Sequence, residues 1–439
     1  MKRRSTLMRR EESRRGTQEC VRHGLLAVLL GCCIVTEANA YSVLTHEAII
    51  DSAWKDNIQP LLLKRFPDAS PDDLRKAHAY TYGGAIIQDM GYYPFGHKFV
   101  SDLAHYVRSG DLILNLLAEA TDLNEYAFAL GALAHYASDN FGHRVAVNKS
   151  VPIIYPKLKR KFGNSVTYAD NPVSHLKVEF SFDVAQVAQG HYASNAYHEF
   201  IGFEVAQAAL ERAFAKTYSV KLSSLMKEDL AIGTYRFTVS SIIPTMTRAA
   251  WRLKKNEILK AQPGMDKRKF MYNLSRAEYR KKWGSTYRGP GIEARFIAFI
   301  VRIAPKVGPL RSLGFQPPTP ATETLFMKSV NETLAQYRRL LTAQGQGVLK
   351  LPNENFDTGE PTKPGAYTLA DSTYAKLLDK LSGKPVSPEL RANILAFYSD
   401  TSAPFATKKD EKAWKKVLSE LDALKAVKSA ALSTVDEAN

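Results

Sequence analysis

Cysteine is nearly absent from this chain. Only Cys20, Cys32 and Cys33 occur in 439 residues. From residue 41 onward no disulfide can form, and no thiolate is at hand as nucleophile or metal ligand. Histidine is confined in a different way: of the ten, all but His23 lie between His46 and His198, and none occurs in the last 241 residues. Alternating apolar–polar stretches bounded by turn residues, the mark of strands, are scarce. After residue 40 no run is long and apolar enough for a transmembrane helix. Internal repeats and low-complexity tracts are also missing.

The first forty residues combine a basic stretch, an apolar run from Gly24 to Val35 and the small-residue end Ala38-Asn39-Ala40. That order is expected of a secretory signal peptide cleaved after Ala40, with secretion or a periplasmic location as the consequence. Leu29-Leu30-Gly31-Cys32 resembles a lipoprotein box, which offers the alternative of a lipid anchor on Cys32. Removing residues 1–40, with eight basic and four acidic residues, lowers the formal net charge from +16 to +12. A surplus of that size favours anionic partners such as phosphate groups, lipid headgroups or nucleic acid.

Helical signals dominate the remainder, and the fold class expected is all-α. Thr45 is placed to cap a helix carrying Ile49 and Ile50. Ser70-Pro71-Asp72-Asp73 combines a hydroxyl cap, a first-turn proline and acids at the positive dipole end. Asp122-x-x-Glu125 resembles a capping box, and Asn171-Pro172 opens a helix carrying His175 and Glu179. Further on, Glu323–Leu341, Leu369–Leu381 and Asp410–Val427 read as helices, separated by a Gly/Pro/Asn/Asp-rich loop over 353–364. We expect a catalytic domain over 41–240 and a basic, mostly helical extension of unknown role over 241–439.

The chemistry is concentrated in five histidines, His46 the first of them, and their carboxylate neighbours. Asp89 and His105 precede His135-x-x-x-Asp139-x-x-x-His143, and His175-x-x-x-Glu179 follows. A spacing of four places two side chains on one helix face, one turn apart. Imidazole with carboxylate is a donor set for zinc and similar divalent ions. Asp139, flanked by two imidazoles, is placed to bridge two metals. Gly142 is expected to end the helix before His143. The cluster reads as a multinuclear, hydrolytic metal site.

Thr45-His46-Glu47-Ala48-Ile49-Ile50, Gly84-Ala85 with Asp89, Ala104-His105-Tyr106, Gly131 to Asp139 and His175 to Glu179 resemble the zinc-dependent phospholipases C, a family related to the S1/P1-type nucleases. The resemblance covers about residues 41–240 and implies a mainly helical domain holding up to three zinc ions. It implies one ion bound by Asp89, His105, His135 and Asp139, and a second by His143, His175 and Glu179. A third would use the Tyr41 amine and carbonyl, His46 and Asp139. The residue usual at the position of Tyr41 is tryptophan, but backbone ligation does not require the indole.

The reaction implied is in-line attack of zinc-bound hydroxide on a phosphodiester phosphorus, with a phospholipid as substrate and Asp89 doubling as general base. The alternatives are a nuclease or other phosphoesterase on the same site, and a metal-stabilised binding protein without turnover. The stretch over 296–303 is expected to be an ordinary buried helix, with docking on a membrane surface through an amphipathic face as the alternative. No protein partner is inferable. Tyr92 and Tyr93 are expected to pack as core or rim, His78 and His97 to be exposed, and His191 and His198 to lie near the cleft.

Overall fold

The computed structural model describes residues 43–93, 95–189, 203–237, 255–256, 259 and 316–426. Tyr41, His191, His198 and the 296–303 face lie outside the described residues. So does most of the 240–320 stretch in which a boundary was expected.

The protein is all-α, with almost no strands among the described residues. Two helices form its centre: α3 (Pro71–Ile86), and α6 (Leu123–Phe141), whose residues from Tyr126 to Asn140 are all buried. Glycine lets them meet backbone to backbone. A Cβ on Gly84 would fall 1.9 Å from the carbonyl oxygen of Phe128, and one on Gly131 would fall 2.0 Å from that of Thr81. Each helix therefore removes a side chain where the other's backbone passes, the arrangement that permits closest approach.

Local rules account for most helix ends. The Ser70 cap forms a full capping box with Asp73. Asp122 accepts the backbone N–H groups of Asn124 and Glu125. Glu125 departs from the expected box by accepting from Thr121 instead. The Asn171 side chain accepts the Ser174 N–H at 3.0 Å and opens α9 (Pro172–Gln189). Thr45 is a correction: α1 (Val43–Ala53) already contains it, and its hydroxyl donates to Asp183 Oδ1 at 2.6 Å.

Residues 316–426 pack into the same hydrophobic core as the first half. The long helix over Pro320–Gly345 lies against α6, with the Tyr337 hydroxyl donating to the Leu130 carbonyl at 2.9 Å. Phe326 stacks on Phe182 at 4.7 Å. The expected loop over 353–364 contains a small hairpin, β1 (Glu354–Asn355) paired antiparallel with β2 (Glu360–Pro361). Among the described residues no helix is long and apolar enough to cross a membrane.

Candidate metal centre

Three elements meet near the C-terminal end of α6. The 3-10 turn Ile87–Tyr92 carries Asp89, α4 (Lys98–Tyr106) carries His105, and α6 carries His135 and Asp139. These four residues offer ligand atoms that all lie within 4.8 Å of one another. His105 Nε2 is 3.2 Å from Asp89 Oδ1 and 3.3 Å from Asp139 Oδ2. His135 Nε2 is 3.1 Å from Asp139 Oδ2. All four are at most 3% exposed.

Both imidazoles are oriented from behind. His105 Nδ1 is 2.7 Å from the Ser101 carbonyl oxygen, and His135 Nδ1 is 2.9 Å from that of Ala85. Donation to a backbone carbonyl fixes the tautomer and turns the Nε2 lone pair inward, the usual support for a metal-binding histidine. Yet His105 Nε2, His135 Nε2 and both oxygens of Asp139 make no hydrogen bond. Buried polar atoms left in that condition are costly. A purely ionic tetrad would satisfy them with hydrogen bonds; a shared divalent cation satisfies them together. The donor set of two imidazoles and two carboxylates fits zinc.

His143 follows in a way the sequence did not indicate. Gly142 does not end the helix: the chain widens into a π-helical turn over Gly142–Val147. Such turns re-aim a side chain without breaking the helix and recur at functional sites. His143 Nε2 remains 3.8 Å from Asp139 Oδ2, while Nδ1 faces His175 Nε2 at 2.8 Å. His175 Nε2 is also 2.9 Å from Glu179 Oε1, so the expected trio is contiguous. The second group that converges, however, is His143, His175 and Asp357. Asp357 was missed by sequence reasoning. It stands 182 residues after His175, in a non-periodic turn.

His46 lies beside the first group. Its Nε2 is 3.5 Å from Asp139 Oδ1, and its ring stacks on His135 at 4.6 Å. The residue expected to complete a third position, Tyr41, is outside the described residues.

Burial, opposed or assisted by neighbours, sets the protonation of the cluster. It drives His46 and His143 down to about 3 and holds His175 well below the ordinary range, so these rings are neutral. Neutral imidazole is the form that ligates metal. For His105 burial is overcome by the Asp139 and Asp89 carboxylates, and the ring rises to about 10. Burial raises Asp89 but is outweighed at Asp139, where His135 and His105 hold the carboxyl well below its usual value.

His78 corrects an expectation. It is buried, its Nε2 lies 3.1 Å from Asp51 Oδ1, and its ring stacks on Trp54 at 3.9 Å, a structural role away from the cluster. Tyr92 packs as expected, tilted against His105 with its hydroxyl donating to Asp102 at 3.3 Å.

A buried cluster of histidines and aspartates with a donor set that suits zinc, set in an all-α fold, defines a helical metal centre. Residues 45–227 match the family model described as zinc dependent phospholipase C. No curated protein and no solved structure matches the chain.

Proposed function

We propose that this protein is a zinc-dependent phospholipase C, hydrolysing the headgroup phosphodiester of phospholipids. The observation that carries the reading is the convergence of Asp89, His105, His135 and Asp139 on one point, where His105 Nε2, His135 Nε2 and both Asp139 oxygens make no hydrogen bond. The family match supports a hydrolase acting on phospholipid with zinc as cofactor.

Asp89, His105, His135 and Asp139 would hold one ion, and His143 and His175, with Glu179 beside them, would hold a second. Zinc bound there supplies Lewis acidity: it lowers the pKa of water and polarises a phosphoryl oxygen. The chain's own residues do the rest. Ser101 and Ala85 keep two imidazoles aimed inward through their carbonyl oxygens. Phe356, fully buried, packs against His105 and His135 and keeps bulk water from that side. Asp89, whose carboxyl is pushed up by burial, is the candidate proton acceptor. Secretion, with the positive charge drawing the enzyme to anionic surfaces, completes the proposal.

The test is a panel of phosphatidylcholine, phosphatidylinositol, single-stranded DNA and a chromogenic phosphodiester, each assayed with the chelated and the zinc-reloaded protein. Zinc-dependent release of a phosphorylated headgroup is expected. Preferential cleavage of DNA would move the assignment to the nuclease alternative. A zinc-loaded protein that turns over none of the four would support a binding role.

A further inference from the structure

The expected metal ligands all come from residues before 180, yet a carboxylate from the far end of the chain reaches the same cavity. Asp357 Oδ1 lies 3.2 Å from His143 Nδ1 and 3.9 Å from His175 Nε2. The residue is 2% exposed, and Oδ1 makes no hydrogen bond. The other oxygen is held firmly. Oδ2 accepts the Tyr168 backbone N–H at 3.0 Å and the hydroxyl of Tyr367. One oxygen is pinned and the other is aimed at two imidazole nitrogens, the geometry of a carboxylate prepared to bind a metal through a single atom.

The turn that delivers this group is built for the purpose. Asn355 accepts the Asp357 N–H through its side chain at 3.0 Å, and its carbonyl accepts from Thr358 and Gly359. Gly359 has φ +63°, and a Cβ there would sit 2.6 Å from the carbonyl oxygen of Asn140, the residue after Asp139. The Asp357 carbonyl accepts from the Asn148 side chain at 2.7 Å, and Phe356 N–H donates to the His105 carbonyl at 3.1 Å. Glu354 accepts from Tyr136 at 2.9 Å and Asn140 at 2.6 Å. The hairpin is thus tied to α4, to α6 and to the helix that begins at Asn148.

We infer that Asp357 is a zinc ligand of the second metal position, shared with His143 and His175, so that this position is complete only when the C-terminal part of the chain is packed on the first half. The inference rests on the zinc-enzyme reading. It adds that residues 316–426 are a component of the metal centre rather than an appendage. Zinc at this position would then couple its binding to the docking of the hairpin.

The experiment uses the full chain, stripped by chelation and reloaded with zinc, and compares wild type with Asp357→Asn, Tyr367→Phe and Asp89→Asn. The readouts are zinc per chain by elemental analysis, zinc affinity by competition with a chromogenic chelator, and the zinc-induced rise in melting temperature. Asparagine keeps an oxygen to accept from Tyr168 and Tyr367 but loses the anionic ligand. Asp357→Asn is expected to hold about one zinc fewer per chain, in line with one lost site. Tyr367→Phe leaves the carboxylate in place but frees its orientation, so zinc number is kept and affinity falls about 10–100-fold. Because Tyr367→Phe removes a single hydroxyl, it keeps the test valid if the asparagine variant fails to fold. Wild-type zinc number and affinity in both Asp357→Asn and Tyr367→Phe, with Asp89→Asn impaired, would overturn the inference and leave the zinc-enzyme reading standing. A wild-type protein that takes up no zinc would overturn both.

Discussion

The Nδ1 of His135 lies 2.9 Å from the carbonyl oxygen of Ala85, so a residue on one central helix is oriented by the backbone of the other. The contact ties the packing of α3 on α6 directly to the direction in which a metal-binding nitrogen points. Disturbing the helix crossing should therefore be felt at the site.

Gly84→Ala and Gly131→Ala test that link. Alanine gains about 1 kcal/mol over glycine in helix propensity. Against this, the new methyl groups would lie 1.9 Å and 2.0 Å from backbone oxygens that cannot rotate away. Overpacking of this kind costs about 1–3 kcal/mol and more where backbone must shift. Both variants should be net destabilised in chemical denaturation and should bind zinc more weakly in the chelator competition. A stability gain in either would show that the helices have room to part.

Asp139→Asn should be the most damaging single change at the centre. One carboxylate faces four imidazoles, with His135 and His105 nearest and His46 on its other oxygen. Zinc content should fall by more than one ion per chain, and hydrolysis by more than the roughly 100-fold that marks loss of an outer-shell partner. Full metal content in this variant would refute the bridging role.

Much of this was legible because helical periodicity displays ligands. His135 and Asp139 share a face by spacing alone, as do His175 and Glu179, and the Ser70 and Asn171 caps mark where helices open. Asp357 was not legible, because an Asx-type turn has no period and the residue touches His143 only through tertiary packing. His143 sits on a π turn, a local widening that no spacing rule anticipates. His78 reads as an exposed histidine until the fold brings the Asp51 carboxylate and the Trp54 ring over it.

Stability should respond to pH through Glu228, far from the metal residues in sequence. Burial, with Glu211 and Asp229 nearby, raises its carboxyl from 4.5 to about 7. The folded state thus holds a proton that the unfolded chain has released, and stability falls as pH rises from about 4.5 to about 7. Its contribution is full below that window. Glu228→Gln, which cannot ionise, should flatten this part of the melting-temperature profile and leave the variant more stable than wild type above pH 7. A profile unchanged by the substitution would remove Glu228 as the cause.

At the other end of the chain, one added residue before Tyr41 should cost about one zinc if the free amine is a ligand, since an amide carbonyl is a weaker donor than an amine. Helical content by circular dichroism should be retained. N-terminal sequencing of the protein from its native host checks the proposed cleavage after Ala40, and a terminus at Cys32 would rule out that third position.

The glycine crossing of α3 and α6 also bears on how this protein can change over generations. A helix advances 1.5 Å and turns about 100° per residue, so two helices in backbone contact at Gly84 and Gly131 have a single workable register. Around it, exposed surface residues and loop lengths are freer to drift. A replacement at either glycine is different in kind. It would be exposed to selection through lost metal as well as through lost stability, and no single compensating substitution elsewhere would restore the register. Those two positions, which carry no chemistry of their own, should be among the slowest in the chain to vary.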